Sequence, residues 1–336
     1  MQRLACLAAT VALTCSAAGV AAAQAPAAAS KCELNMIAAL PLEFVNNRPL
    51  VEVGINGVKA KMLIDTGASR SILSAPKMRK MGYEPTPSDV SFSGVGGTRN
   101  ALELTLKTFE LGGGSAKNLR LFALEIDLGG EAVGILGEDL LIDSDVEFDL
   151  QAKQLRLFRE KNCGKENLAY WTKEPAIADM EVVTDAFEMF TKLNGTTIHA
   201  QLDSGAVTSI VTLEAARRVG AQPKEEELDD TSSGIGTRKV AVSTVTFDRL
   251  AIGDEEIKNA RLLVGDFFRA AREATTGAHI KSSSNDYTEM LLGADFLRSH
   301  RVLVAKGQHR VYFSYQGGPV FQVIAPVGAT SAPAGK

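Results

Sequence analysis

The stretch KMLIDTGASRSIL, residues 61–73, brings an apolar run to a stop on Asp65 and follows it with Thr66, Gly67 and Ala68. Desolvation penalises a carboxylate at the end of an apolar strand. Acid–base chemistry with a shifted carboxyl group is one reason to keep it there. Asp-Thr-Gly also makes an ordinary turn, and no lysine-serine pair follows to build a phosphate loop. A second stretch removes the ambiguity. HAQLDSGAVTSIV, residues 199–211, aligns with the first without a gap and sets Asp203 on Asp65 at an offset of 138 residues. At that same offset Asn56-Gly57 falls on Asn194-Gly195, Gly82 on Gly220 and Pro85 on Pro223. Turn residues held in register this far mark an internal repeat.

Two similar β units are expected to pack about a pseudo-twofold axis with equivalent patches in contact. If the Asp65 and Asp203 loops meet there, two carboxyl groups about 3 Å apart cannot both ionise, and they share one proton. The ionised member can then draw a proton from water while the protonated member donates to a carbonyl oxygen, with no metal or covalent intermediate. The catalytic candidates are therefore Asp65 and Asp203. Thr66 and Ser204 carry hydroxyls able to cross-link the loops, and Gly67 and Gly205 let backbone amides approach the carboxylates. The turns SGVGGT and SGIGT, with Gly94, Gly96, Gly97, Gly234 and Gly236, have the character of mobile hairpin tips that close over a bound peptide.

The rest of each copy must position these loops. The repeat continues through Leu111-Gly112 on Ile252-Gly253, and ends with ILGED (135–139) on LLGAD (291–295). The offset grows to 156 by then, which places an insertion in the second copy between Gly265 and Met290. A disordered loop, a regulatory cover and a substrate contact are all open for it. Period-two alternation on either side of Asn-Gly predicts hairpins, and one short helix recurs, in SAPKMRKMG and TLEAARRVG. The fold class is all-β: two pseudo-symmetric barrel-like lobes, each with a short helix. Expected boundaries are a signal peptide at 1–23, a flexible lead-in at 24–33 and lobes at 34–160 and 181–316. An interlobe linker at 161–180, without regular pattern over 161–176, joins the lobes, and 317–336 form a flexible tail. Asp139 and Asp295 are expected to cap the short helix that follows each of them.

IDTGAS with ILGEDLL, and LDSGAV with LLGADFL, resemble the two lobes of pepsin- and retropepsin-type aspartic proteases. A glycine-rich hairpin in both halves, together with the N-terminal leader, is similar to bacterial periplasmic retropepsin-like proteases. The resemblance covers most of residues 45–160 and 183–316 and implies a single chain with two fused lobes, a monomer, in which Asp65 and Asp203 are catalytic. Neither hairpin tip shows the tyrosine that pepsin-type enzymes carry, so tip chemistry does not transfer. Val207 stands where Ser69 stands in the first copy.

Composition narrows the partners. The 336 residues are 45% hydrophobic and 23% charged with a net charge of −4, a soluble profile long enough for two domains. No basic block and few aromatics argue against nucleic acid. Arg3, the apolar run from Leu4 and Ala21-Ala22-Ala23 read as an export signal cut near Ala23–Gln24, giving a periplasmic or secreted protein. The competing reading is an anchor that stays attached. The mature chain keeps Cys32 and Cys163, and an oxidising compartment suggests one disulfide. His199, His279, His300 and His309 lack ligand spacing, so neither metal nor cofactor is expected. No Gly-x-Ser-x-Gly elbow is present. The expected activity is endopeptidase action on an extended protein or peptide, the exported segment of a membrane protein being one candidate. The alternative is a binding module that keeps the fold without cleaving.

Overall fold

The computed structural model describes residues 31–94, 97–141, 143–181, 187–223, 241–267 and 288–321. The first lobe opens with β1 (Glu33–Val45), long enough to pair with two neighbours. β2 (Arg48–Ile55) and β3 (Val58–Ile64) form a hairpin around Asn56-Gly57, whose φ values of 51° and 81° suit the twist of the strands. β4 (Ile72–Ser74) leads into α1 (Ala75–Lys80). β5 (Thr86–Gly94) and β6 (Gly97–Leu111) form a long hairpin, along which β7 (Gly114–Leu124) returns. β8 (Ala132–Leu136) ends in a 3-10 turn at Glu138–Leu140, and β9 (Asp145–Asp149) and β10 (Gln154–Lys161) follow. The neighbours β2-β3-β8-β4-β7-β6 close into a ring because β6 pairs back onto β2.

The second lobe repeats the plan. It runs through β11 (Ala176–Asp179), β12 (Glu188–Leu193), β13 (Thr196–Leu202), β14 (Ile210–Thr212) and α2 (Leu213–Arg218). β15 (Val242–Ile252), β16 (Glu255–Gly265) and β17 (Met290–Leu292) follow. α3 (Ala294–Ser299), β18 (His300–Ala305) and β19 (Arg310–Tyr315) complete it. Its barrel runs β12-β13-β17-β14-β16-β15, each strand in the place of its repeat partner. Asn194-Gly195 turns with φ of 48° and 84°, as its counterpart does. The insertion joins the end of β16 to the start of β17, and its residues 268–287 lie outside the described ones. The all-β, two-lobed class read from the sequence holds.

The lobes share one antiparallel sheet, β11-β19-β18-β9-β10-β1. Its centre is the pair β9–β18, where Glu147 faces Leu303, and Val146 and Phe148 face Val304 and Val302. That register is symmetric under the repeat, so the pseudo-twofold axis passes through Glu147–Leu303. Glu147 is fully buried and accepts from Arg156 and from Arg301.

Four expectations need correction. The linker at 161–180 is not irregular throughout. Lys161 closes β10, residues 176–179 form β11 on β19, and Leu168 and Ala169 are buried under the shared sheet with Phe158 and Tyr312. The tail is packed beyond 317: Phe321 is buried, with its ring stacked on Phe296. The lead-in ends early, since Glu33 already belongs to β1 and Cys32 is bonded to Cys163. A second short helical element recurs after the glycine of each copy, as the Glu138–Leu140 turn and α3.

Candidate active site

β3 reaches its end through Met62, Leu63 and Ile64, all buried, and β13 through the buried Ala200, Gln201 and Leu202. Both aspartates are then fixed by the apolar-apolar-glycine element of their own lobe. Asp65 N–H donates to the Leu136 carbonyl at 3.0 Å and Asp203 N–H to the Leu292 carbonyl at 2.9 Å. The residue after each glycine binds back: Glu138 N–H donates to Ala68 O and Ala294 N–H to Ala206 O.

Asp139 and Asp295 do not occupy N-cap positions, although Asp295 Oδ1 also accepts the Phe296 N–H in the first turn of α3 at 3.0 Å. The N-cap positions are Gly137 and Gly293, and neither receives a side-chain bond. Asp139 instead accepts from the Ser71 N–H at 2.8 Å and its hydroxyl at 2.7 Å, and Asp295 from the Ser209 N–H at 2.9 Å and hydroxyl at 2.6 Å. Each serine oxygen then accepts from the glycine N–H, Gly137 or Gly293. The acids thus brace the far end of the aspartate loop against the strand that underlies it.

Across the axis the two loops lock reciprocally. Thr66 N–H donates to Ser204 Oγ at 3.2 Å, and Ser204 N–H donates to Thr66 Oγ1 at 3.0 Å. The hydroxyls donate onward, Thr66 to Leu202 O and Ser204 to Ile64 O. All four bonds are buried and join residues of opposite lobes. Gly67 and Gly205 do more than present amides, which they do to the aspartate of their own loop. A Cβ on Gly67 would lie 2.5 Å from Cγ of Asp203, and one on Gly205 would lie 2.3 Å from Cγ of Asp65. The missing side chains make the room into which the opposite carboxyl group fits.

Asp65 and Asp203 hydrogen-bond to each other. Burial raises the pKa of both. Asp203 is held well above the usual carboxylate range by burial and then by the charge of Asp65. Asp65 is raised less, because the bond from Asp203, the backbone donors and the Arg48 guanidinium favour its ionised form. The pair therefore carries one proton over a broad pH range, and its titration belongs to both groups.

In the first lobe the described residues of the hairpin reach as far as Gly94, which pairs with Gly97. Gly96, Gly234 and Gly236 lie outside the described residues. Two residues before Gly94, Phe92 packs edge-on to Phe122 at 5.2 Å between centroids. Among the described residues no cluster of three or more potential metal ligands occurs.

Three further groups border the site. Arg48 begins β2. Extending the β2–β3 register, in which Leu50 faces Leu63, sets Arg48 opposite Asp65. Glu138, only 5% exposed, accepts from the Phe187 N–H of the other lobe at 2.8 Å. Burial pushes its pKa up to about 7, with Glu188 and Asp65 adding to the rise and Lys306 opposing it. Arg298 donates to Asn47 O in the first lobe and to Val207 O in the second, tying the β1–β2 turn to the Asp203 loop. The sequence held one usable signal for Arg48 and Glu138: the repeat breaks there, with Ala186 and Ala294 as their counterparts.

Two β lobes sharing a central sheet, with a pair of hydrogen-bonded aspartates on cross-linked loops, define an aspartic-protease fold. The sequence matches the Aspartyl protease family over residues 51–140 and 191–296, more than half of the chain, and the protein belongs to that family. No curated protein matches the chain. Among solved structures, the aspartic proteinase from Irpex lacteus superposes with a TM-score of 0.50 at 14% identity, over 82% of this chain and 96% of that one. A retropepsin-like aspartic protease from Rickettsia conorii aligns at 22% identity and a TM-score of 0.29, over 39% of this chain and 95% of that one.

Proposed function

We propose that this chain is an exported aspartic endopeptidase that hydrolyses a peptide bond of an extended protein segment. The observation that carries the reading is the hydrogen-bonded Asp65–Asp203 pair, raised by burial and steadied by backbone N–H donors from Gly67 and Gly205. The ionised carboxylate removes a proton from a water while the protonated carboxyl donates its own to the scissile carbonyl oxygen. The water oxygen adds to the carbonyl carbon, giving a neutral tetrahedral diol. Return of a proton to the amide nitrogen then breaks the C–N bond and releases an amine and an acid. The two acids exchange proton states during the cycle, so no external acid or base is consumed. The β5–β6 hairpin supplies strand edges along which an extended substrate can add.

Export rests on the N-terminal leader, and it accords with the Cys32–Cys163 bond. A periplasmic location would make the exported segment of a membrane protein an available substrate. The test is digestion of a diverse peptide library from acid to neutral pH, with and without a statine-type inhibitor. Cleavage that the inhibitor blocks supports the reading. An absence of cleavage across the whole range would assign the chain to non-hydrolytic peptide binding.

A further inference from the structure

We propose that Arg48 makes the two acids unequal, holding Asp65 as the ionised member so that Asp65 acts as the base and Asp203 as the acid. This deepens, and rests on, the protease reading above.

The repeat gives both aspartates nearly the same surroundings. The Asp65 carboxylate accepts the Gly67 N–H at 3.0 Å, and the Asp203 carboxylate accepts the Gly205 and Ala206 N–H groups, both at 2.9 Å, while the Ala68 N–H is turned to the Asp65 backbone carbonyl at 3.2 Å. Each has the opposite glycine against its carboxyl carbon. The additional Ala206 donor favours an ionised Asp203, so a bias toward ionised Asp65 has to come from groups that the repeat does not copy. The β2–β3 register, extended two residues past Leu50–Leu63, brings Arg48 opposite Asp65, and the residue that matches Arg48 in the second copy of the sequence is Ala186, which has no charge. The guanidinium is half-buried and donates to Leu128 O at 2.9 Å. A carbonyl does not neutralise it, and among the described residues no carboxylate lies within ion-pair distance of Arg48. Of the two acids, Asp65 is the one with which its charge interacts. Asp203 is also the more deeply buried of the two, which penalises its ionisation further.

Other charged groups face the dyad without upsetting this order. Glu138, on the turn after β8, lies on the Asp65 side and would oppose Arg48 when ionised. Burial keeps it a neutral acid below about pH 7, so it is silent in the acid range. Glu188 and Lys306 face Glu138, and Arg298 faces Asp295. Arg48 thus acts through Asp65 and is a positioning residue.

The test compares Arg48→Gln and Arg48→Lys with wild type in the pH profile of kcat/KM. Activity requires ionised Asp65, so loss of the cation should move the acidic limb to higher pH by about half to one unit, a three- to tenfold loss on that limb. Arg48→Lys should restore most of the limb position. Superimposable limbs, or a uniform loss at every pH with no shift, would overturn the proposal. A second measurement needs no turnover: NMR titration of ¹³C-labelled aspartate carboxyls, where the lower apparent pKa of the pair should rise in Arg48→Gln and not in Arg48→Lys. If the wild type cleaves nothing but that value rises, the protease reading fails and the Arg48 assignment stands. If it does not move, the assignment falls.

Discussion

In the first lobe the charges of Arg48 and of the buried Glu138 interact with Asp65, whereas the residues that match them in the sequence repeat are Ala186 and Ala294. Elsewhere near the axis the lobes agree: the barrel order, the Asn-Gly hairpins, the serine–aspartate brace and the crossed Thr66–Ser204 bonds. The agreement is what a two-acid site needs, because equal loops bring equal groups to one point. The disagreement is what a directional reaction needs, because two identical acids have no preferred proton. A third difference is covalent. The Cys32–Cys163 bond spans a separation of 131 residues and encloses the first lobe. The second lobe's sequence, residues 181–316, contains no cysteine with which to form a bond of its own.

The largest effect should come from removing either half of what agrees. Asp65→Asn and Asp203→Asn are each expected to lower peptide hydrolysis by at least about a thousandfold, since residues that act as a unit fail as a unit. The melting temperature should hold or rise, because an amide removes a buried charge that desolvation already penalises. Assay and calorimetry on the same preparation check both parts. Substantial activity in either variant would mean that the lobes do not contribute equally and that one aspartate only supports the loop.

Next is the covalent difference. Closing so long a loop constrains the unfolded chain by about 4–5 kcal/mol in the chain-entropy model. A Cys32→Ser/Cys163→Ser variant should lose a stabilisation of that order in urea unfolding. Amide exchange should show the loss first in β1 and β10, whose pairing lies next to the bond. Uniform loss across both lobes would instead show that they unfold as one unit through the shared sheet.

These lobes were legible in the sequence to the extent that their features repeat. Asp65, Asp203 and the Asn-Gly turns recur at an offset of 138 residues and the apolar-apolar-glycine strands at 156, and the repeat located them. The brace was misread because its partners are far apart: Ser71 and Asp139 are separated by 68 residues and Ser209 and Asp295 by 86. An Asp before a short helical turn has the same local pattern as a cap, and only the fold shows what it reaches. Leu168 and Ala169 were hidden for a different reason. They cover the shared sheet from an irregular segment with no period to detect, and Phe321 docks in the same unpatterned way. Arg48 and Glu138 look like solvent-facing charges until the barrel closes around them.

Glu138 allows the comparison to be read through pH. Its folded pKa of about 7 lies above the ordinary 4.5, so the native state holds the proton longer than the unfolded chain does. Stability from this group is therefore fully present below pH 4.5 and declines as pH rises toward 7, by roughly 3 kcal/mol at most. Glu138→Gln keeps an acceptor for the Phe187 N–H and removes the titration. It should flatten the stability profile between those limits and raise the melting temperature at neutral pH. Ala294 predicts no matching effect in the second lobe. An unchanged slope in Glu138→Gln would locate the pH dependence elsewhere.

The smallest difference lies within the repeated brace itself. Ser71 and Ser209 make the same bonds, but Asp295 is only 2% exposed and Asp139 is partly open to solvent. Removing a hydroxyl that serves a buried carboxylate leaves that group short of a donor where water cannot replace it. Water can still reach Asp139. Ser209→Ala should therefore cost about 2–3 kcal/mol and Ser71→Ala about 1 kcal/mol in denaturant unfolding. Because the serine oxygen also receives the Gly293 or Gly137 N–H, each variant should also loosen its own aspartate loop. Amide exchange at Ala206 and Ala68 reads that loosening lobe by lobe. Equal costs in the two variants would mean that exposure at Asp139 gives no relief, and that the brace is as dry in the first lobe as in the second.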